Sequence, residues 1–241
     1  MVFQDIGQHI SRQFDEDLES LRSKALNMGG MVEKQVENAL AALTRADSSL
    51  AEDVATSDYR INSMEVAIDE ECAQVIARRQ PAASDLRLVI AIFKTITDLE
   101  RIGDEAEKIG RHAVKLAAVE RSPTYFMELR HLGDQVCKML HDCLDALARM
   151  DIESALAIAE GDRAINDEYD SLTRQLITHM MEDPRTIKRS LRVMWCARSL
   201  ERIGDHAKNI CEYVIYTVAG KDIRHTSFDQ VKAELGDIND N

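Results

Sequence analysis

LERIGDEAEKI, residues 99–109, returns as LERIGDHAKNI, residues 200–210. At about 100° per residue, Leu99, Ile102, Ala106 and Ile109 gather on one helix face, and Leu200, Ile203, Ala207 and Ile210 do the same in the second copy. Each copy is therefore a helix with a core-facing stripe. The copies stand 101 residues apart, whereas RADSSLAEDV from Arg45 matches RMDIESALAI from Arg149 at a spacing of 104. Asp58, Ile61 and Asn62 recur at that second spacing as Asp162, Ile165 and Asn166. The difference places a short insertion or deletion between helices of an internal repeat.

The pattern predicts an all-α protein of two tandem three-helix bundles related by an internal repeat, with helices over 5–46, 48–79, 84–118, 124–149, 152–181 and 185–219. Asp47 and Asp151 stand where N-caps are needed, and RRQPAASD, RSPT and MEDPRT interrupt the periodicity between helices. The expected units are residues 1–120, residues 121–220, and an acidic tail over 221–241 that frays.

Composition points the same way. Ten glycines, three prolines and 5% aromatics supply few turn and strand formers in 241 residues. A net charge of −13 excludes nonspecific nucleic-acid binding and direct adhesion to anionic lipid, both of which need a basic surface. Cys72, Cys137, Cys143, Cys196 and Cys211 lack zinc-site spacing and read as buried thiols in a reducing compartment. No apolar run reaches the length of a membrane span, and the first residues lack signal-peptide character. The expectation is a cytoplasmic protein whose only route to the membrane is through a partner.

Glu100 and Asp104 lie one helical turn apart, as do Glu201 and Asp205, nearly opposite the core stripe and on outer faces. Like charges at that spacing cost a few tenths of a kcal/mol unless something offsets them. Gly103 and Gly204 sit mid-helix at roughly 1 kcal/mol each relative to alanine, which implies close approach by a neighbouring helix or an ion. The preceding helix offers Asp58, Asn62, Glu65 and Asp69 on one strip; the second half keeps Asp162 and Asn166, with Asp170 nearby, but has Tyr169 in place of Glu65. Clustered carboxylates on two helices suit hard or borderline cations. The expected metal residues are thus Glu100, Asp104, Asp58 and Asn62 in one patch and Glu201, Asp205, Asp162 and Asn166 in the other. The expected ions are Mg²⁺, Mn²⁺, Zn²⁺ or iron. Asn62 and Asn166 lower the charge of each site, and Lys108, where the second copy has Asn209, is expected to bring a competing cation to the first. Arg101 and Arg202 are expected in surface ion pairs, and His206 as an exposed residue.

The tandem LERIGD-x-A-x-x-I motifs, HISRQFDEDLESLRSKALNMGGMVEKQV from His9, MEVAIDEECAQVIARRQPAASDLRLV from Met64 and GKDIRH from Gly220 resemble the PhoU family along almost the whole chain. That resemblance implies two three-helix bundles, metal clusters on (E/D)xxxD motifs, and a regulator that acts by contact and not by catalysis. It also implies restraint of the phosphate-starvation response and of phosphate uptake. Its implied partners are a sensor histidine kinase and the ATPase subunit of a phosphate ABC transporter, with the chain itself a homodimer. Two rivals explain less. A metal-independent helical adaptor leaves the repeated carboxylates and glycines unexplained, and a di-metal carboxylate enzyme of the ferritin-like class needs Glu-x-x-His where this chain has Gly103 and Gly204.

Overall fold

A computed structural model of the chain describes residues 12–118, 123–223, 226 and 230. The helices are α1 (Arg12–Arg45), α2 (Ser48–Val54), α3 (Tyr59–Arg79), α4 (Ala83–Ala117), α5 (Pro123–Arg149), α6 (Ile152–Glu182) and α7 (Ile187–Ala219), with a 3₁₀ turn at Pro184–Thr186 before α7. No strand occurs among the described residues. The start of the expected first helix and most of the tail lie outside them.

The repeat is visible in its junctions. Ala46 and Met150 both adopt left-handed backbone, φ 56° and 51°. The Asp47 N–H donates to the Ala42 carbonyl and the Asp151 N–H to the Ala146 carbonyl, closing the preceding helix. The same two aspartates then cap the next helix, accepting from Leu50 N at 3.0 Å and Ser154 N at 3.1 Å. One residue thus ends a helix and begins another in both halves, as the N-cap expectation required.

The second helix of the first half departs from expectation. The predicted continuous segment 48–79 breaks between α2 and α3, whereas its counterpart α6 runs unbroken. The cause lies on α4. A Cβ at Gly110 would stand 3.0 Å from the Ala51 carbonyl oxygen and 3.1 Å from the Ala55 nitrogen, so the α2 backbone rests directly on this glycine. The equivalent of Gly110 in the second half is Cys211, which is buried and excludes that approach. At the break, the Thr56 and Ser57 hydroxyls donate to the carbonyls of Glu52 and Val54, competing with helix continuation.

The two bundles share one core. Helix α4 packs on α1, α2, α3 and α7, and α7 on α4, α5 and α6. Leu99, Ile102, Ala106, Ile109 and their counterparts Leu200, Ile203, Ala207 and Ile210 are fully buried. Helices α4 and α7 run antiparallel: Asp98 meets His206, Glu105 meets Ser199, and His112 stacks on Trp195 with centroids 5.1 Å apart. Since 98 corresponds to 199 and 105 to 206 in the repeat, the two contacts exchange places across a pseudo-twofold axis. His206 is therefore buried, contrary to expectation, with Nδ1 2.7 Å from Asp98 Oδ1. Asn209 Nδ2 donates to Asp98 Oδ1 at 3.2 Å and the Tyr213 hydroxyl to Oδ2 at 2.8 Å. On the other side, buried Glu105 accepts from Ser199 Oγ at 2.8 Å and Lys108 Nζ at 3.0 Å, and pairs with Arg202 at 3.2 Å. Lys108 thus serves this seam and brings no cation to the first carboxylate patch. Arg202 is an ion pair as expected, but with a buried partner. The cysteines are free, and burial pushes the Cys72, Cys137 and Cys196 thiols up to about 12.

The glycines of the motif differ. A Cβ at Gly103 would stand 2.9 Å from Asp58 Oδ1 and 3.2 Å from Ile61 Cδ1, so the position is open only to glycine as α3 now lies. At Gly204 the nearest atoms, on Ile165, are 3.5 Å away, an ordinary contact. The close-approach explanation therefore holds for Gly103, while Gly204 has room for a methyl group.

Two outcomes follow from these contacts. Asp98→Ala strands buried His206 and half-buried Asn209 and Tyr213 and should cost about 3 kcal/mol in urea unfolding, whereas Asp145→Ala, which removes an exposed pair with Arg149, should cost under about 0.5 kcal/mol; equal costs would refute the seam's importance. Gly204→Ala should gain up to about 0.8 kcal/mol from helix propensity, and Gly103→Ala should recover little of it because Asp58 and Ile61 must move. Equal gains at both glycines would show that the Asp58 contact places no constraint on α4.

Candidate metal centre

The break before α3 sets up the first patch. It leaves Asp58 as the residue that precedes α3, with helical backbone angles and no capping hydrogen bond from its side chain. The carboxylate is free to point at α4 beside Gly103. There, one carboxylate oxygen each from Asp58, Asp104 and Glu107 lies within 4.8 Å of the others. No other trio of His, Cys, Asp or Glu among the described residues meets that spacing. Asp58 is only 6% exposed, and its Oδ1 has no partner in full hydrogen-bond geometry among the described residues; the amide of buried Gln35 lies beside it, near enough to favour the charged carboxylate.

Burial and mutual repulsion dominate the electrostatics of this groove. Burial raises the Asp58 pKa, the Asn62 amide opposes that shift, and the charges of Asp104 and Glu107 add to it. Burial also raises Glu65, followed by Asp69, against the Thr97 hydroxyl and Arg101. Glu100 is raised by burial and then by Asp104, Glu65 and Asp58. Of the expected first set, Asp58, Asn62, Glu100 and Asp104 all face this groove. Glu107 was not expected, although it lies three residues after Asp104 and so on the same helix face. It also pairs outward with exposed Arg111.

The second patch is arranged differently. Asp162, 2% exposed, accepts from Asn166 Nδ2 at 3.1 Å and from Lys208 Nζ at 3.3 Å through Oδ2. Glu201 Oε1 accepts from Arg198 at 2.6 Å. Glu201 is raised by burial and then by Asp205, and Asp205 by burial and then by Asp162, with Lys208 and Arg198 opposing. Neither patch lies on the outer face expected of it. Asp58, Asp162 and Glu201 are buried, Glu100, Asp104, Asn166 and Asp205 half-buried and Asn62 exposed, because α3 and α6 pack over the carboxylate faces of α4 and α7. Upstream on the carboxylate faces of α4 and α7, Val89, Ile96 and Ala197 are core residues, while Phe93 and Ile187 are exposed.

The Asp58, Asp104 and Glu107 donors are all oxygens, a set suited to Mg²⁺, Mn²⁺ or ferric iron more than to zinc, which favours nitrogen and sulfur. No imidazole joins them: His206 is engaged by Asp98, and His112 by Trp195.

The PhoU domain family model matches residues 25–113 and again 129–214. The chain is 55% identical to the phosphate-specific transport system accessory protein PhoU homolog of Pseudomonas putida, over 96% of this chain and 91% of that protein. It is 50% identical to the phosphate-specific transport system accessory protein PhoU of Escherichia coli (strain K12), over 94% of each. Among solved structures, PhoU from Pseudomonas aeruginosa superposes with a TM-score of 0.84 at 55% identity, covering 86% of this chain and all of that one. The phosphate transport system regulatory protein PhoU from Streptococcus pneumoniae superposes with a TM-score of 0.81 at 32% identity, covering 87% of this chain and 98% of that one. These relatives are named as PhoU, two of them as accessory proteins and one as regulatory, and none as an enzyme. With both halves matched by the domain model and the doubled three-helix architecture in place, this chain is a member of the PhoU family.

Proposed function

We propose that this chain is a non-catalytic regulator of a phosphate transport system. It restrains the phosphate-starvation response and moderates phosphate uptake through contacts with the ATPase subunit of a phosphate ABC transporter and with a sensor histidine kinase. The observation that carries this reading is similarity over nearly the full length of relatives named as accessory proteins of that system. In this reading the protein works in the cytoplasm, at the membrane only through partners, and as a homodimer; no described helix is long and apolar enough to cross a membrane.

In this reading the groove between α3 and α4 holds a divalent or ferric cation on Asp58, Asp104 and Glu107, with Glu65 and Glu100 adding negative charge. Bound there, the cation supplies positive charge that relieves the repulsion among these groups. Asn62 orients Asp58, and Gly103 leaves its carboxylate the space to turn toward α4. The unpaired Asp58 oxygen supports this assignment, because a buried acceptor without a partner costs about 1–3 kcal/mol.

A pH dependence tests the cation. Asp58, Glu65 and Glu100 have folded pKa values above their unfolded ones near 4. Their stabilising contribution is complete below the unfolded pKa and is lost as pH climbs through the folded one. In chelator, Tm should therefore rise as pH falls from neutrality toward the unfolded values near 4, and Glu65→Gln with Glu100→Gln should flatten the slope; an unchanged slope would remove the electrostatic argument. For signalling, Asp58→Asn with Asp104→Asn should keep its helical content, lose Mn²⁺ binding in calorimetry, and derepress a phosphate-starvation promoter reporter in replete medium. Full repression by a well-expressed variant would show that the carboxylates are not needed for the signal.

A further inference from the structure

The two patches occupy equivalent places in the repeat but differ at four positions, Asp69 giving way to Thr173 and three others changing together. Lys208 stands where the first half has Glu107, Arg198 where it has Thr97, and Tyr169 where it has Glu65. Each change adds positive charge or removes negative charge at the same groove, and the new side chains interlock. Lys208 Nζ lies 3.3 Å from Asp162 Oδ2, Arg198 lies 2.6 Å from Glu201 Oε1, and the Arg198 guanidinium sits 5.8 Å over the Tyr169 ring. Three carboxylates, Asp162, Glu201 and Asp205, thus face two cations of the chain itself, half-buried Lys208 and exposed Arg198, although Asp162 Oδ1 and Glu201 Oε2 lack hydrogen-bond partners among the described residues.

The first patch has no counterpart of half-buried Lys208. Asp58, Glu65, Glu100, Asp104 and Glu107 face Arg101 and Arg111, which both lie on the solvent side, and Lys108 is turned away to Glu105. Resting on the cation reading of the α3–α4 groove, we infer that the repeat has one metal centre and not two: Lys208 and Arg198 take the cation's place between α6 and α7. A metal ion entering there would have to displace an ammonium from a buried carboxylate and sit beside a guanidinium, both like-charged. The second bundle is accordingly held closed at every metal concentration, and metal sensitivity is confined to the first.

The test uses the full-length chain stripped with chelator and titrated with Mn²⁺, following bound metal per chain by calorimetry and by elemental analysis. Asp162→Asn with Asp205→Asn should leave affinity and saturation as in wild type, while Asp58→Asn with Asp104→Asn should weaken binding at least tenfold. Lys208→Glu with Arg198→Thr should add a second class of sites. A readout without metal accompanies these: in chelator, Lys208→Met should lower Tm because it leaves the Asp162 charge with the Asn166 amide and no cation, whereas Asp104→Asn should raise it by relieving repulsion. If the Asp162 and Asp205 variant loses part of the wild-type saturation, or the Lys208 and Arg198 variant gains none, the single-centre assignment is overturned while the first site stands. If wild type shows no saturable Mn²⁺ binding, the cation reading itself fails and this inference falls with it.

Discussion

The antiparallel contact between α4 and α7 is the constraint on which the other features depend. It buries two carboxylates, Asp98 and Glu105, and each must be satisfied because an unpaired charge in a core costs several kcal/mol. Asp98 is answered by His206, Asn209 and Tyr213, and Glu105 by Ser199, Lys108 and Arg202. These pairings fix the axial register of the two helices, since a shift of one turn would strand both acids. With the register set, Leu99 and Ile102 meet the core at the same level as Leu200 and Ile203. The opposite faces of α4 and α7 are left for α3 and α6 to cover, which is where the motif carboxylates lie.

The two halves then reach the same architecture by different local chemistry. In the first, Gly110 admits the α2 backbone and the helix breaks; Asp58 is released to face α4, and the groove collects carboxylates without inner cations. In the second, Cys211 fills that space, α6 continues, and Asp162 projects from mid-helix toward Lys208. Identical LERIGD hexapeptides therefore sit in unlike electrostatic surroundings. What differs is the residue three places beyond the aspartate, and what lies across the groove.

Much of this was legible in the sequence because it rests on local chemistry. The caps at Asp47 and Asp151, the breaks at Pro81 and Pro184, and the core stripes of the two motif helices follow from capping, proline geometry and helical period. The break at 55–58 was not legible, since its cause is Gly110, half a bundle away. His206 read as exposed for a similar reason: its burial depends on Asp98, 108 residues earlier, and a histidine on a helix carries no mark of its partner. Glu107 and Lys208 are the instructive omission. Both lie inside the repeated stretch, and the spacing from Asp104 and Asp205 alone places them on the carboxylate face. A match that counts only shared letters passes over the position where the copies disagree.

The seam has a further consequence. Self-complementary surfaces of this kind usually join two molecules, and their occupancy then varies with dilution. Here both surfaces are written on one polypeptide, so they meet at the high effective concentration set by the intervening chain. The pairing is unimolecular and indifferent to how much protein is made. It also removes this face of α4 and α7 from the surface available to a second molecule, so association with another copy or with a partner must be built from other surfaces.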